Sequence, residues 1–391
     1  MIKLPESPYA LKWLDREAQT IPLSIADMDV PTDPLILESI AERLRYPLAY
    51  PPPYTTDGLA DRLADFFNER YGAGVSRDCF WLAAGAVPVS YLIFDEFLEP
   101  GNEALYFAPS YKYIPGAVQA AGATAVPVPV APDHRTSTLR RELSKAVSRR
   151  TRAVYLCNPH NPTGHVFTRA ELEVIAEFAL RHKLRIVSDE LHSRLVLDGV
   201  HTPIAALGVE VARISLTIDG PTKSHNLAGI GGAFVWSPDA RAVAEIRDRL
   251  GHRAAPARAL QRAVMEAAYR TEDSPWLRST HELLRHNRTV IENFLRPYRP
   301  EVRYTPGEAT YFGWLDFGET FAERGAHEVL AEHGLAVEPG PDFGAEHRFA
   351  RITFAMPTNL LQAALDRLAH ALVARVDAMK KGSVPWTDAA V

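Results

Sequence analysis

Ser215-Leu-Thr-Ile-Asp-Gly-Pro-Thr-Lys223-Ser-His-Asn-Leu-Ala-Gly-Ile230 is the stretch from which the fold is read. An apolar run rich in β-formers stops at Asp219-Gly220-Pro221. Lys223 follows, directly after a threonine. Gly229, Gly231 and Gly232 then break the chain before a second apolar run, Ala233-Phe-Val-Trp236. This order predicts a strand, a turn and another strand, with Lys223 in the turn. A rigid scaffold can aim an amine from such a turn into a cleft, where lysines form Schiff bases with carbonyl groups. A lone lysine would read as a solvated surface side chain; the surrounding stretches decide otherwise.

Working outward, the same strand, glycine turn, helix pattern recurs. Phe80-Trp-Leu-Ala-Ala84 runs into Gly85 and an apolar helix near 88–98. Ala104-Leu-Tyr-Phe107 runs into Pro109-Ser-Tyr111. Ala153-Val-Tyr-Leu-Cys157 runs into Asn158-Pro-His-Asn161-Pro-Thr-Gly164, and Arg185-Ile-Val-Ser188 into Asp189-Glu-Leu-His192. Thr168, with Glu171 three positions on, predicts a capping box opening a helix over 169–182. Short apolar strands alternating with helices predict an α/β fold with a mainly parallel sheet covered on both faces. Ligands of such sheets bind beyond the carboxyl ends of the strands, where each distinctive stretch falls.

Further out, residues 1–45 are expected to be an N-terminal arm joining a small domain, with a helix from Pro34 to about Arg45 capped by Asp33. Residues 46–285 are expected to form the large domain and 286–391 a smaller α+β C-terminal domain. Tyr46-Pro-Leu-Ala-Tyr50-Pro-Pro-Pro-Tyr54 is too rich in proline for a helix. Helical spacing returns over 58–71. A long helical pattern over 256–297 breaks near Ser274-Pro275; later come a helix near 320–333, a strand Phe349–Phe354 and a helix over 358–377. The tail from Lys380 to Val391 reads as loose.

With 391 residues, 47% hydrophobic and 23% charged, the chain has ample material for a large core. Its net charge of -5 attracts neither nucleic acid nor an anionic membrane. Cys79 and Cys157 are too few for a disulfide framework or a cysteine-built metal site, and suit a reducing compartment. The first residues start no apolar signal segment, and no apolar run is long enough to span a bilayer. The reading is a cytoplasmic protein.

Several residues carry candidate chemistry, each with a plainer alternative. The Asn158–Gly164 turn presents the Asn161 amide to a ligand, or is only a turn. Asp189 suits pairing with a protonated ring nitrogen, or the cap of a helix. His192 reaches a phenolic oxygen, or packs. Gly85, Ala86 and Val87 offer backbone N–H groups at a helix start, suited to a phosphate. Tyr111 lies flat on an aromatic ring, or belongs to the core. Arg351 is a cation inside an apolar strand and needs an anion there; a substrate carboxylate is preferred over a structural one.

In this order and spacing, Asn158-Pro-His-Asn-Pro-Thr-Gly, Ser188-Asp-Glu-Leu-His, Thr222-Lys-Ser-His-Asn-Leu-Ala-Gly and Arg351 resemble the fold-type I pyridoxal-phosphate enzymes of the class I/II aminotransferase superfamily. Ala26-Asp-Met-Asp29, Thr310-Tyr-Phe-Gly-Trp and Arg351-Ile-Thr-Phe-Ala-Met-Pro357 resemble its MalY/PatB-type cystathionine β-lyase branch, the C–S lyases. The resemblance implies a seven-stranded, mainly parallel sheet sandwiched by helices, and a homodimer with shared active sites. It implies that Lys223 forms the Schiff base with pyridoxal 5'-phosphate and shuttles protons. Asp189 would pair with the ring nitrogen, Asn161 with the phenolic oxygen, with His192 nearby, and Tyr111 would stack on the ring. Gly85, Ala86, Val87 and Thr222 would hold the phosphate, completed by Tyr50 or Tyr54 of a neighbouring subunit. Ala26, Asn161 and Arg351 would bind the substrate. A phenylalanine usually stands two residues after the lysine; His225 stands here, an extra imidazole that points to a specialised substrate.

The reaction implied is β-elimination from a cysteine S-conjugate to a thiol, pyruvate and ammonia. Transamination and decarboxylative oxidative deamination use the same residues. A non-catalytic regulator is the reading from another class, and the complete set of candidate catalytic residues argues against it.

Overall fold

The computed structural model describes residues 10–14, 20–50, 58–130, 135–270, 274–299 and 301–380, with the backbone alone for 375–380. Tyr54 and most of the expected loose tail lie outside them. The chain divides into two compact units. One comprises Pro31–His281 with Gly307–Thr310; the other comprises Met1–Val30, Glu282–Pro306 and Tyr311–Val391.

The arm contributes β1 (Ile21–Pro22) to the smaller unit. α1 (Pro34–Arg43) opens on Pro34, with the Asp33 carboxylate accepting from Leu35 N–H at 2.9 Å. It packs on a later helix of the larger unit, so the arm ends near Val30 rather than at residue 45. The apolar stripe led by Ile36, which is fully buried, accounts for that allegiance.

The larger unit continues through α2 (Gly58–Tyr71), β2 (Phe80–Ala83), α3 (Ala86–Phe97), β3 (Glu103–Ala108), α4 (Tyr113–Ala120) and β4 (Thr124–Pro129). Then follow α5 (Thr136–Ala146), β5 (Thr151–Cys157), α6 (Arg169–His182), β6 (Arg185–Asp189), α7 (Val209–Ile214), β7 (Ser215–Asp219), β8 (Ala233–Trp236), α8 (Ala240–Leu250) and α9 (Ala259–Ala268). β2 to β8 form one seven-stranded sheet in the order β2-β8-β7-β6-β5-β3-β4. β8 runs antiparallel to β7 and β2; the other pairs are parallel.

Both faces of the sheet are buried, as the near-continuous apolar runs require. Along β5, Ala153, Tyr155 and Cys157 face α3, α4 and α8, whereas Val154 and Leu156 face α5 and α6. Phe80, Leu82, Phe234 and Trp236 pack instead on α2 and α9. α6 begins as its capping box dictates: Thr168 N–H donates to Glu171 Oε2 at 2.8 Å and Glu171 N–H to Thr168 Oγ1 at 3.3 Å.

α10 (Pro275–Leu295) starts in the larger unit and ends in the smaller one. The smaller unit adds β9 (Arg303–Tyr304), β10 (Phe312–Asp316), α11 (Ala326–Glu332), β11 (Leu335–Ala336), β12 (Glu338–Pro339), β13 (Phe349–Thr353) and α12 (Thr358–Lys380). Its antiparallel sheet has the order β12-β13-β10-β9, and β1 pairs in parallel with β11. The helix expected over 320–333 is shorter, because Gly325 sits at φ 84° immediately before α11. Among the described residues no helix is long and apolar enough to cross a membrane.

Candidate active site

The carboxyl ends of β2, β3, β5, β6 and β7 lie on one edge of the large sheet and carry most of the candidate residues. β6 and β7 are paired neighbours, with Asp189 opposite Ile218 and Cys157. Asp189 closes β6; Lys223 lies four residues beyond the end of β7, in the turn spanning 221–226. Pro221 O accepts from His225 N–H at 2.9 Å and Thr222 O from Leu227 N–H at 3.0 Å, which winds this turn tightly. Asn226 takes φ 57°, a left-handed conformation that asparagine tolerates.

Burial pushes the Asp189 carboxyl up to about 6. The Leu191 N–H, 3.2 Å from Oδ1, and the field of the Lys223 ammonium oppose that rise. The amine and the carboxylate therefore sense one another at the ends of adjacent strands. A carboxylate so recessed favours a cationic partner.

Gly85 caps α3 from an extended backbone (φ -174°) with no side-chain cap. The N–H groups of Ala86 and Val87 stand in the first turn, where no helical acceptor precedes them. The chain just before them is tied to the end of the loop that carries Lys223: Gly232 N–H donates to Ala84 O at 2.9 Å, and Gln261 Nε2 bridges Ala84 O and Ile230 O at 3.0 and 3.1 Å. Tyr111, half-buried, follows β3 and meets Tyr113 edge to face at 5.0 Å.

The turn bearing Asn161 is anchored at several points. Asp189 O accepts from Asn158 N–H at 2.9 Å, and His160 shares a hydrogen bond with Thr163 Oγ1 at 2.8 Å. Asn161 is 8% exposed and His192 5%. Helix-start amides, an aromatic, a recessed carboxylate and an amine together suit a phosphorylated, protonated heteroaromatic aldehyde.

His225 does not open to solvent. It is 1% exposed, shares a 2.9 Å hydrogen bond between Nδ1 and Ser224 Oγ, and stacks on Trp276 at 5.7 Å and 16°. Burial, reinforced by the Arg194 guanidinium and the neighbouring His281, pulls it well below the usual histidine range, so its ring is neutral. The imidazole expected to face the substrate is thus packed as an aromatic, with the volume and stacking that a phenylalanine supplies. Behind the turn, Ser193 Oγ donates to Asp219 Oδ2 at 3.0 Å and ties the segments following β6 and β7 together. Neither partner was singled out from the sequence, since a cross-strand side-chain pair leaves no local pattern.

In the smaller unit, Arg351 on β13 is 2% exposed. Its guanidinium stacks on Phe312 at 4.2 Å and Phe343 at 5.1 Å, and donates to Ser24 O at 3.1 Å. Tyr311 Oη donates to Ala26 O at 2.9 Å. Arg351 and Tyr311 thus both hold the Ser24–Ala26 segment. Tyr50 is fully exposed.

A family model, aminotransferase class I and II, matches residues 19–368. The chain belongs to that family. Within the family it is similar to a cystathionine β-lyase of Corynebacterium glutamicum, 28% identical over 93% of this chain and 96% of that one. It is also similar to the cystathionine β-lyase PatB of Bacillus subtilis (strain 168), 30% identical over 90% and 92%. Among solved structures, cystalysin from Treponema denticola, which contains a pyridoxal 5'-phosphate cofactor, is 25% identical. It superposes with a TM-score of 0.82 over 94% of this chain and 96% of that one.

Proposed function

We propose that this class I/II aminotransferase-family chain is a pyridoxal-phosphate-dependent C–S β-lyase. It takes a cysteine S-conjugate and water and releases a thiol, pyruvate and ammonia. The observation that carries the reading is Lys223 beside Asp189 at the ends of paired strands, in a chain similar to cystathionine β-lyases.

Pyridoxal phosphate, when bound, supplies an aldehyde that captures amines and a ring that accepts electron density from Cα. Asp189 keeps the ring nitrogen protonated. Ala86 and Val87 N–H and Thr222 hold the phosphate, Tyr111 supports the ring face, and Asn161 with His192 serves the phenolic oxygen. Arg351 and the Ala26 backbone hold the substrate carboxylate, orienting the Cα–H bond. Lys223, as a neutral amine, removes the proton from Cα and delivers one to the departing sulfur. A thiolate is a good leaving group once charge builds at Cα, so β-elimination follows. A protein of this kind acts as a homodimer, with Tyr50 or Tyr54 serving the partner's phosphate site, and in the cytoplasm.

Incubation with an S-alkyl cysteine is expected to give thiol, pyruvate and ammonia in equal amounts. Amine transfer to a 2-oxo acid without thiol release, or release of CO2, would replace this reading. Lys223→Ala is expected to abolish both turnover and the visible absorbance of the loaded protein.

A further inference from the structure

Lys12 is fully buried, which is rare for an ammonium. Its Nζ lies 2.5 Å from Asp29 Oδ2 and donates to Asp27 O at 3.1 Å. Trp13 Nε1 donates to the other oxygen, Asp29 Oδ1, at 2.7 Å. Both oxygens of one buried carboxylate are thus gripped by successive residues of a single 3-10 turn, Leu11–Trp13. Burial pulls the Lys12 ammonium below the usual lysine range, while the attraction of Asp29 resists it. Desolvating a charge pair is costly, and here it pins one short loop.

That loop, 24–29, is held from other directions as well. Asp29 N–H donates to Ala355 O at 2.7 Å. Tyr311 holds Ala26 O and Arg351 holds Ser24 O, as described above. The loop is only half-buried at Ile25, Ala26 and Asp27, so its exposed stretch is fixed from behind.

We propose that Lys12 and Trp13 are positioning residues: gripping Asp29, they set the 24–29 loop so that Ala26 N–H and Arg351 together receive the substrate carboxylate. This rests on the substrate reading above. It adds that the N-terminal turn sets carboxylate affinity without touching the reacting atoms. A merely structural salt bridge would move stability alone; a positioning pair moves KM.

The test uses the full chain loaded with pyridoxal phosphate. Lys12→Met removes the charge, Trp13→Phe removes one donor while keeping the ring, and Lys12→Arg restores a cation. Lys12→Met is expected to raise KM for S-methylcysteine about ten-fold or more with kcat nearly unchanged. Trp13→Phe is expected to raise it a few-fold, and Lys12→Arg to recover part of the loss. Hydrogen exchange at 24–29 is expected to speed up in Lys12→Met, with exchange at 215–230 unchanged. Unaltered KM in Lys12→Met and Trp13→Phe, or a raised KM with unaltered exchange at 24–29, overturns the proposal. Should Lys12→Met fail to fold, Trp13→Phe and Lys12→Arg carry the same comparison. If the wild-type chain turns over no cysteine conjugate, the lyase reading falls. Binding of an unreactive amino acid, read from the visible absorbance of the loaded protein, then replaces KM: weaker binding with faster exchange at 24–29 in Lys12→Met upholds the proposal, and unaltered binding or unaltered exchange overturns it.

Discussion

Asp189 is a recessed carboxyl whose charge state depends on the cations near it. In the chain alone, burial lifts it to about 6, with Lys223 pulling the other way. A group raised in the folded state contributes stability below its ordinary value of 3.8, and that contribution is lost as pH rises through about 6. A bound ring carrying N–H⁺ reverses the preference, because it needs the ionised form. Cofactor affinity for the apoprotein is therefore expected to climb as pH rises through about 6. Titration of the visible absorbance against pH checks this, and Asp189→Asn is the control. The variant should lose that rise and bind about 10- to 150-fold more weakly, the value of roughly 1.5–3 kcal/mol for a charged hydrogen bond. An Asp189→Asn curve parallel to wild type would remove Asp189 from the ring nitrogen.

At the scale of elements, the segment from Asn158 to α6 is fixed by a charge cluster of buried His165 and Glu171 with the half-exposed Glu308. His165 Nε2 lies 3.2 Å from Glu171 Oε1, and Nδ1 lies 3.5 Å from Glu308 Oε2. Burial disfavours the charged ring, and His160 is the neighbouring imidazole, but the hydrogen bonds of Glu171 and Glu308 outweigh burial and raise His165 to about 8. The sign follows: the stabilisation is fully present below 6.5 and is lost as pH rises through about 8. A rise from 6.5 to about 8 is worth about 2 kcal/mol at most. The thermal midpoint is expected to fall across this window, and His165→Asn to flatten the fall. Gly164 shows why the segment tolerates little change: at φ 72°, a Cβ there would meet Ala309 O at 2.6 Å and Gly307 Cα at 2.9 Å. The capping box and the strand–turn–helix order were legible, because each is local and periodic. β4 was not, since Thr124-Ala-Val-Pro-Val-Pro129 carries two prolines and is admissible only at the sheet's edge, where it lies. Lys12 was not legible either: a lysine in an arm without periodicity looks solvated until its carboxylate is seen. His225 reads as a substrate-facing imidazole from its place beside Lys223, whereas its stacking on Trp276 depends on a residue 51 positions later.

For the whole molecule, the surface around Tyr50 is the one suited to assembly among the described residues' exposed apolar runs. Leu44, Tyr46, Leu48 and Tyr50 are 55%, 60%, 58% and 101% exposed in one run of seven residues. Beside them is a groove of about 890 Å³, lined by Leu48, Tyr50, Ile230, Pro256 and Leu260 among others. Ile230 belongs to the loop that follows Lys223, so a chain seated in the groove would abut the candidate site's own loop. Four large apolar side chains exposed in one run suit an interface, and a second copy of this chain offers the same surface in return. The chain is expected to sediment as a dimer at micromolar concentration. Leu44→Asp with Leu48→Asp should yield monomers, since two carboxylates from each copy would be desolvated in the interface. If the partner supplies a tyrosine to the phosphate, these monomers also bind pyridoxal phosphate more weakly, and dilution of the wild type lowers specific activity. Tyr50→Phe and Tyr54→Phe separate assembly from ligation: each should leave the dimer intact. The one whose hydroxyl reaches the phosphate loses roughly 1 kcal/mol, about five-fold in cofactor affinity. A monomeric wild type with full activity would mean that each chain completes its own site, and the exposed run would need another partner.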